Sequence, residues 1–339
     1  MTTFEYTPPT LADMRETHAR LAPYTERTPV ADWTGRRVDS YLDAEARVVL
    51  KLELFQRTGT FKARGAVNRL LLADRPAGVT AVSAGNHAIA SAYAASVVGA
   101  NAKVVMLASA NPARIAAAEA FGAEVMIEPD GPTAFARAHA LEETEGRFFI
   151  HPFEGPPVTL ATAGVTLELF DDAGELDAIV VAVGGGGLSS GVASAAKLLH
   201  PGCAVYGVEP EGANVMRRSI EAGAPQTLPK VETIADSLAP PMTTPYAFET
   251  CRRNFDDVVL VSDDEMTAGI AMLFADMKLA VEPAAAAAVA GAFGPLRERL
   301  SGKRVGLIIC GSNIDSDGFC KLLHRGERAI ADGVLSPPT

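Results

Sequence analysis

The segment that most restricts the fold is Ala178-Ile179-Val180-Val181-Ala182-Val183, which runs into Gly184-Gly185-Gly186-Gly187 and then Leu188-Ser189-Ser190-Gly191. An unbroken apolar run of this length reads as a strand buried on both faces, and such strands belong to parallel sheets covered by helices. Consecutive glycines carry an entropic cost that a mere turn does not require, although a tight strand-to-helix turn is the plain alternative. Glycines let backbone approach an anion closely, and the N–H groups and dipole of a helix start favour phosphate. Two other readings fit the same residues. A dinucleotide loop would need Gly-x-Gly-x-x-Gly, and Ser189 or Ser190 stands at the last position, yet Glu209 ends the next predicted strand where a ribose-binding acid is expected. Gly187-x-Ser189-x-Gly191 matches a hydrolase nucleophile elbow, with His200 or His324 as its base, though three further glycines separate it from the strand.

Short apolar runs alternate with helical patterns from about Arg47 onward. Predicted strands are 48–52, 79–83, 102–107, 124–127, 178–183, 204–209, 258–261 and 305–310. The segments 60–73, 86–98, 112–121, 133–145 and 158–171 read as helices, with two more between Asp263 and Leu300. This alternation implies parallel sheets covered on both faces, in which ligands bind at the carboxyl ends of strands. The Pro-rich stretch 225–245 reads as a long surface segment. At 339 residues the chain fits two modest domains sharing an interface.

The formal net charge of −11, with no Lys/Arg stripe, argues against nucleic-acid and anionic-membrane partners. There is no signal-peptide pattern and no apolar run long enough to span a membrane. Cys203, Cys251, Cys310 and Cys320 make neither a disulfide framework nor a Cys-x-x-Cys pair, so a cytoplasmic protein is expected.

Three more segments stand at predicted strand-helix junctions or strand ends. In Val82-Ser83-Ala84-Gly85-Asn86-His87, either Ser83 caps a helix with Asn86 in its first turn, or exposed N–H groups grip a carboxylate with Asn86 and His87 adding polar contacts. Lys62, near a helix start, reads by itself as a solvated lysine, with Arg64 placed to lower its pKa if the site is dry. Cys310-Gly311-Ser312-Asn313 reads alone as a small buried residue followed by a turn.

Taken in order, Gly59-Thr60-Phe61-Lys62-Ala63-Arg64-Gly65, Ser83-Ala84-Gly85-Asn86-His87-Ala88, the glycine run and Cys310-Gly311-Ser312-Asn313 resemble the serine/threonine dehydratase and serine racemase family. These are pyridoxal 5'-phosphate (PLP) enzymes of the tryptophan-synthase-β type, and the resemblance runs from about Leu50 to Asp315. It implies two three-layer α/β/α domains with mostly parallel sheets and PLP in the cleft between them (fold type II). Residues 1–75 and 157–339 would form a large PLP-binding domain, 76–156 a small mobile one, and the protein would be a homodimer. Lys62 would carry PLP as a Schiff base and act as the base at the substrate α-carbon, and Phe61 would pack against the ring. Gly184, Gly185, Gly186, Gly187 and Leu188 would hold the phosphate, Asn86 the ring hydroxyl, and Cys310 would face the pyridine nitrogen, with Glu282 an acid near the ring. Ser83, Ala84, Gly85, Asn86 and His87 would line the substrate carboxylate.

The implied reaction is β-elimination from a β-hydroxy-α-amino acid, L-threonine or L-serine first, to a 2-oxo acid and ammonia. A substrate such as 3-hydroxyaspartate or a bulkier one comes next, as does a serine racemase-like activity. Ala84 stands where racemases of the family carry a Ser acid/base, which favours elimination. Glu209 is one member of the family's divalent-metal site, but Val215 stands where its Asp is expected, so no metal is expected. Ala161-Thr162-Ala163-Gly164 and Asp236-Ser237 also depart from the family's pattern and bear on the substrate. A nicotinamide oxidoreductase, a Ser hydrolase and a noncatalytic member of the fold are the rival readings.

Overall fold

Valine- and isoleucine-rich runs become strands and sort into two sheets. In the computed structural model, described over residues 4–73 and 76–337, the strands are β1 (Val30–Trp33), β2 (Arg47–Lys51), β3 (Gly78–Val82), β4 (Asn101–Leu107), β5 (Glu124–Glu128), β6 (Phe148–Phe149), β7 (Ala178–Ala182), β8 (Ala204–Pro210), β9 (Asp257–Val261) and β10 (Arg304–Ile308). The larger sheet has the order β1-β2-β10-β7-β8-β9 and the smaller one β5-β4-β3-β6. All pairings are parallel except the edge pair β1–β2, where Val30 lies opposite Lys51. The smaller sheet is drawn from residues 78–149 and the larger from the segments on either side.

The helices are α1 (Leu11–Leu21), α2 (Arg36–Leu42), α3 (Lys62–Leu72), α4 (Asn86–Val98), α5 (Pro112–Ala120), α6 (Gly131–Glu145), α7 (Pro156–Ala173), α8 (Gly187–Leu199), α9 (Val215–Ala222), α10 (Pro245–Asn254), α11 (Asp263–Met277), α12 (Pro283–Phe293), α13 (Arg297–Leu300) and α14 (Ser316–Ala331). Their starts follow local chemistry. Asn111, Asp130 and Asp315 cap α5, α6 and α14 with their side chains, and Ser262 and Glu265 form a capping box on α11. The alanine-rich α12 is buried along its whole length, and its small residues let it lie close to β7, β8 and β10. No described helix is long and apolar enough to cross a membrane.

The expected mostly parallel α/β architecture is the one observed, with further elements: β1 is antiparallel, β6 is a two-residue strand, α1 and α2 precede the alternating region, and α9, α10 and α14 are added to it. The Pro-rich stretch 225–245 is not simply surface: Leu228, Ala235 and Leu238 are buried, and its end returns to the site described below.

Parallel register brings three strand ends side by side. Val305 of β10 faces Val48 of β2 on one side and Ala178 of β7 on the other. The segments that leave these strands, around Glu53, Cys310 and Gly184, therefore emerge on one edge of the sheet.

Behind that edge lies a cluster of charges with almost no exposure. Arg64 on α3 donates to Glu53 Oε1 and Oε2 at 2.8 and 2.9 Å, and to Glu168 Oε1 and Oε2 at 2.7 and 2.9 Å. Lys51 Nζ donates to Glu168 Oε2 and to the Thr28 carbonyl, both at 2.6 Å. Gly164 makes room for this, since a Cβ there would stand 3.3 Å from an Arg64 nitrogen and 2.9 Å from His18 Nδ1. Two cations against two anions leave no uncompensated charge, and the cluster ties α3, α7 and β2 together. Removing one partner strands the others, which costs about 3–5 kcal/mol for a buried pair. Glu168→Gln should lower the unfolding free energy by about that amount in denaturant titrations. A change within about 0.5 kcal/mol would show that the cluster does not hold α3.

Candidate active site

The glycine run leaves β7 and enters α8 with its polar groups sorted by direction. The carbonyls of Gly185 and Gly187 accept hydrogen bonds from Thr243 Oγ1 (3.1 Å) and Thr162 Oγ1 (2.8 Å), and that of Gly186 from Ser189 Oγ (3.3 Å). Among the described residues, none of the N–H groups from Gly184 to Ser189 donates to a protein acceptor. Gly186 has φ +98°, a conformation that favours glycine. A Cβ at Gly185 or Gly187 would stand 2.6 or 2.7 Å from Phe153. The loop is thus both tightly packed, as the plain turn reading held, and an N–H cradle suited to an anion.

Lys62 is the first residue of α3 and half-buried. Its Nζ donates to the Pro152 carbonyl at 2.9 Å and stands 5.2 Å from the centre of the Phe61 ring. Burial lowers its pKa to about 8, against the opposing pull of Cys310 and Glu282. Arg64 is not among the causes of this shift, contrary to expectation; its guanidinium is engaged instead by Glu53 and Glu168. The cavity beside Lys62 is also lined by Asn86, Phe153, Ser237, Glu282 and Cys310 together with the glycine loop. The free space among these residues is about 440 Å³, counted with its opening to solvent. Burial holds the Cys310 thiol well above its ordinary pKa and therefore neutral, and it pushes Glu282 up to about 7.

Across the cavity, Ser83 to Gly85 join β3 to α4. Ser83 Oγ accepts from the Gly85 N–H at 3.0 Å, while the N–H groups of Ala84, Asn86 and His87 have no acceptor among the described residues. This second N–H set has the form of a carboxylate site. Asn86 is buried, and its Nδ2 lies 2.8 and 2.9 Å from the two Glu282 oxygens. His87 Nε2 pairs with the Ile150 carbonyl at 2.8 Å, and burial lowers its pKa to about 3, so the ring is neutral. A Cβ on Gly85 would stand 2.9 Å from Arg114 of α5, which also ion-pairs with Asp236 and donates to the Asn313 carbonyl at 3.0 Å.

Two alternative readings of the glycine segment lose their residues to other work. Glu209, the possible ribose or metal ligand, is fully buried and accepts from the N–H groups of Met216 and Arg217, both at 2.8 Å. It caps the start of α9, whose first residue is Val215. The Ser189 hydroxyl is buried against Gly186 and Cys251, while His200 lies at the far end of α8 beside Glu175 and Phe170. No nucleophile–base pair exists there.

Motif reading did not single out Phe153, His151 or Arg114, and it placed Ser237 and Thr162 only as departures. Phe153 and His151 follow β6 at a strand carboxyl end, a position that would have flagged them had so short a strand been recognised. His151 Nδ1 accepts from the N–H groups of Phe153 and Glu154 at 3.3 and 3.0 Å, which shapes that turn.

This geometry offers a lysine of lowered pKa between two N–H sets, with a neutral thiol and a buried acid alongside. It fits PLP, whose aldehyde, phosphate and ring each find a matching group. Residues 22–311 match the family described as pyridoxal-phosphate dependent enzymes. Phenylserine dehydratase of Ralstonia pickettii is 49% identical over 321 residues, covering 94% of this chain and 97% of that protein. Serine racemase of Schizosaccharomyces pombe is 37% identical over 321 residues, covering 94% and 98%. The crystal structure of a threonine deaminase from T.th. is similar with a TM-score of 0.84 at 37% identity, covering 91% of this chain and 99% of that one. On this family match, these relatives and this fold, the chain belongs to the pyridoxal-phosphate dependent enzymes of fold type II, and its cofactor is PLP.

Proposed function

We propose that this PLP-dependent ammonia-lyase acts on β-hydroxy-α-amino acids carrying an aromatic β-substituent, phenylserine being the simplest. The observation that carries the reaction type is the pair of unpartnered N–H sets, Gly184–Ser189 and Ala84/Asn86/His87, on either side of Lys62. The aromatic preference is supported by the 49% identity to a phenylserine dehydratase and by Phe153 and Leu238 on the cavity wall. L-Threonine and L-serine, favoured by the motifs alone, form the second reading, supported by the likeness to a threonine deaminase.

In this reading Lys62 is the covalent attachment point for PLP. The Gly184–Leu188 N–H groups would hold its phosphate, Phe61 would pack on the ring, Asn86 and Glu282 would serve the ring hydroxyl edge, and Cys310 would be the neutral partner of the pyridine nitrogen. PLP, when bound, supplies the electron sink for the pair left at the α-carbon. The loop from Ser83 to His87 holds the substrate carboxylate and so orients the α-hydrogen toward Lys62. Lys62 as free amine takes that proton. The β-hydroxide leaves and, with one proton equivalent to that taken from the α-carbon, becomes water; the released enamine then takes up water to give a 2-oxo acid and ammonia. Ala84 has no side-chain proton to deliver from the opposite face, so elimination is favoured over racemisation.

Residues 76–156 would be the mobile unit, with the Arg114–Asp236 and Asn111–Asp315 contacts formed on closure. The four cysteines are free, which suits a reducing cytoplasm, and a homodimer belongs to the same reading.

Turnover of a panel of hydroxy amino acids, with 2-oxo acid detection, tests the substrate. Phenylserine should exceed L-threonine and L-serine in kcat/KM by roughly tenfold or more, the scale on which an apolar pocket discriminates. Equal or faster turnover of threonine or serine would return the assignment to small substrates. The same panel should show no D-serine from L-serine, and Ala84→Ser should introduce it. D-serine formed faster than pyruvate by the unmodified protein would contradict the role given to Ala84.

The pH dependence of PLP capture tests Lys62. With a pKa lowered to about 8, the reactive free amine increases as pH rises. The rate of reconstitution should climb about fivefold from pH 7 to 8 and flatten above about pH 9. A rate that keeps rising about tenfold per pH unit to pH 10 would indicate an ordinary solvated lysine.

A further inference from the structure

The geometry points to Asn313 as the residue that decides which end of the Asn86 amide faces the cofactor, an inference that rests on the proposed assignment of Asn86 to the PLP ring oxygen. A backbone carbonyl has only lone pairs to offer, so the Asn313 atom 2.8 Å from the Thr58 carbonyl must be the amide nitrogen Nδ2. The same Nδ2 lies 2.9 Å from the Asn86 side chain, and the atom it meets there must be the oxygen Oδ1. The NH2 group of Asn86 is thereby turned to the opposite side, toward Glu282 and, at 3.2 Å, Ser237 Oγ. The two ends of an amide are nearly the same in shape, so nothing in the packing of Asn86 selects one.

Glu282 does not make the choice by itself. Burial pushes its carboxyl up to about 7, and a protonated carboxyl donates to an amide oxygen as readily as an ionised one accepts from NH2. The Thr58 carbonyl has no such second state. Polarity is therefore passed from a backbone group through Asn313 to Asn86.

The surroundings keep Asn313 in place. Gly59 adopts φ +72°, and a Cβ there would overlap Asn313 Oδ1. Its carbonyl accepts from the Ser312 N–H at 3.0 Å, while Arg114 Nε braces the Asn313 carbonyl. Asn313 thus joins the segment before Lys62, the loop after β3 and the end of β10 in one contact. Its role is positioning: it acts through Asn86. A donor at Asn86 stabilises the PLP ring oxygen as an anion, whereas an acceptor would hold a proton on it. These two states absorb in the visible and in the near ultraviolet, respectively.

In PLP-loaded protein, Asn313→Asp replaces a donor by an acceptor of the same shape, which requires the Asn86 amide to turn over. PLP affinity should fall about tenfold, the scale of one hydrogen bond to a charged group, and the visible band should lose intensity to the near-ultraviolet one. Asn86→Ala should weaken PLP binding by a similar factor, and adding Asn313→Asp to it should weaken binding no further. If Asn86→Ala leaves affinity unchanged, the assignment of Asn86 fails and takes the inference with it. If Asn86→Ala weakens binding while Asn313→Asp keeps the original affinity and spectrum, the assignment stands and the role of Asn313 is overturned. Additive losses in the double variant overturn it equally. Should Asn313→Asp fail to fold, Asn313→Ala must still lose part of the visible band, and an unchanged spectrum there overturns the inference.

Discussion

Six consecutive backbone N–H groups, Gly184 to Ser189, emerge from the central sheet without a protein acceptor among the described residues. Residues 185–189 are largely buried, and a buried donor left unsatisfied costs about 1–3 kcal/mol. An anion seated in the loop would satisfy these donors. Everything that enforces the cradle lies behind it. Thr162, Thr243 and Ser189 hold the loop's carbonyls, Phe153 covers the glycines, and buried β7 fixes where the loop begins.

Lys62 is set against that cradle by a second constraint, electrostatic in kind. Helix α3 begins at Lys62, and two residues later Arg64 is locked to Glu53 and Glu168. The guanidinium is directed into that cluster, and what acts on Lys62 is burial. Its lowered pKa comes from its surroundings, and Cys310 and Glu282 oppose the shift. Those two opposing residues line the same cavity as Lys62.

Much of this was legible in the sequence because it is local. The run 178–187 announced a buried parallel strand feeding a glycine loop, and the strand-end rule put Ser83–His87 and Cys310 beside it. What stayed hidden depends on partners far apart in the chain. Arg64 and Glu168 are 104 residues apart, and a buried charged pair looks in sequence like two surface residues. Arg64 was accordingly misread as a cation acting on Lys62. The place of Glu209 was equally hidden, because nothing at Met216 or Arg217 signals that their N–H groups take its carboxylate. Phe153 was missed because the strand before it has only two residues. Asn313 was visible in its motif, but its grip on Asn86 spans 227 residues.

The central claim is that Lys62 holds the cofactor, and covalent trapping tests it most directly. The PLP-loaded protein should absorb near roughly 410–420 nm, lose that band on borohydride reduction, and yield one modified peptide with pyridoxyl phosphate on Lys62. A label on another lysine, or a colourless protein that takes up no PLP on reconstitution, would contradict the account.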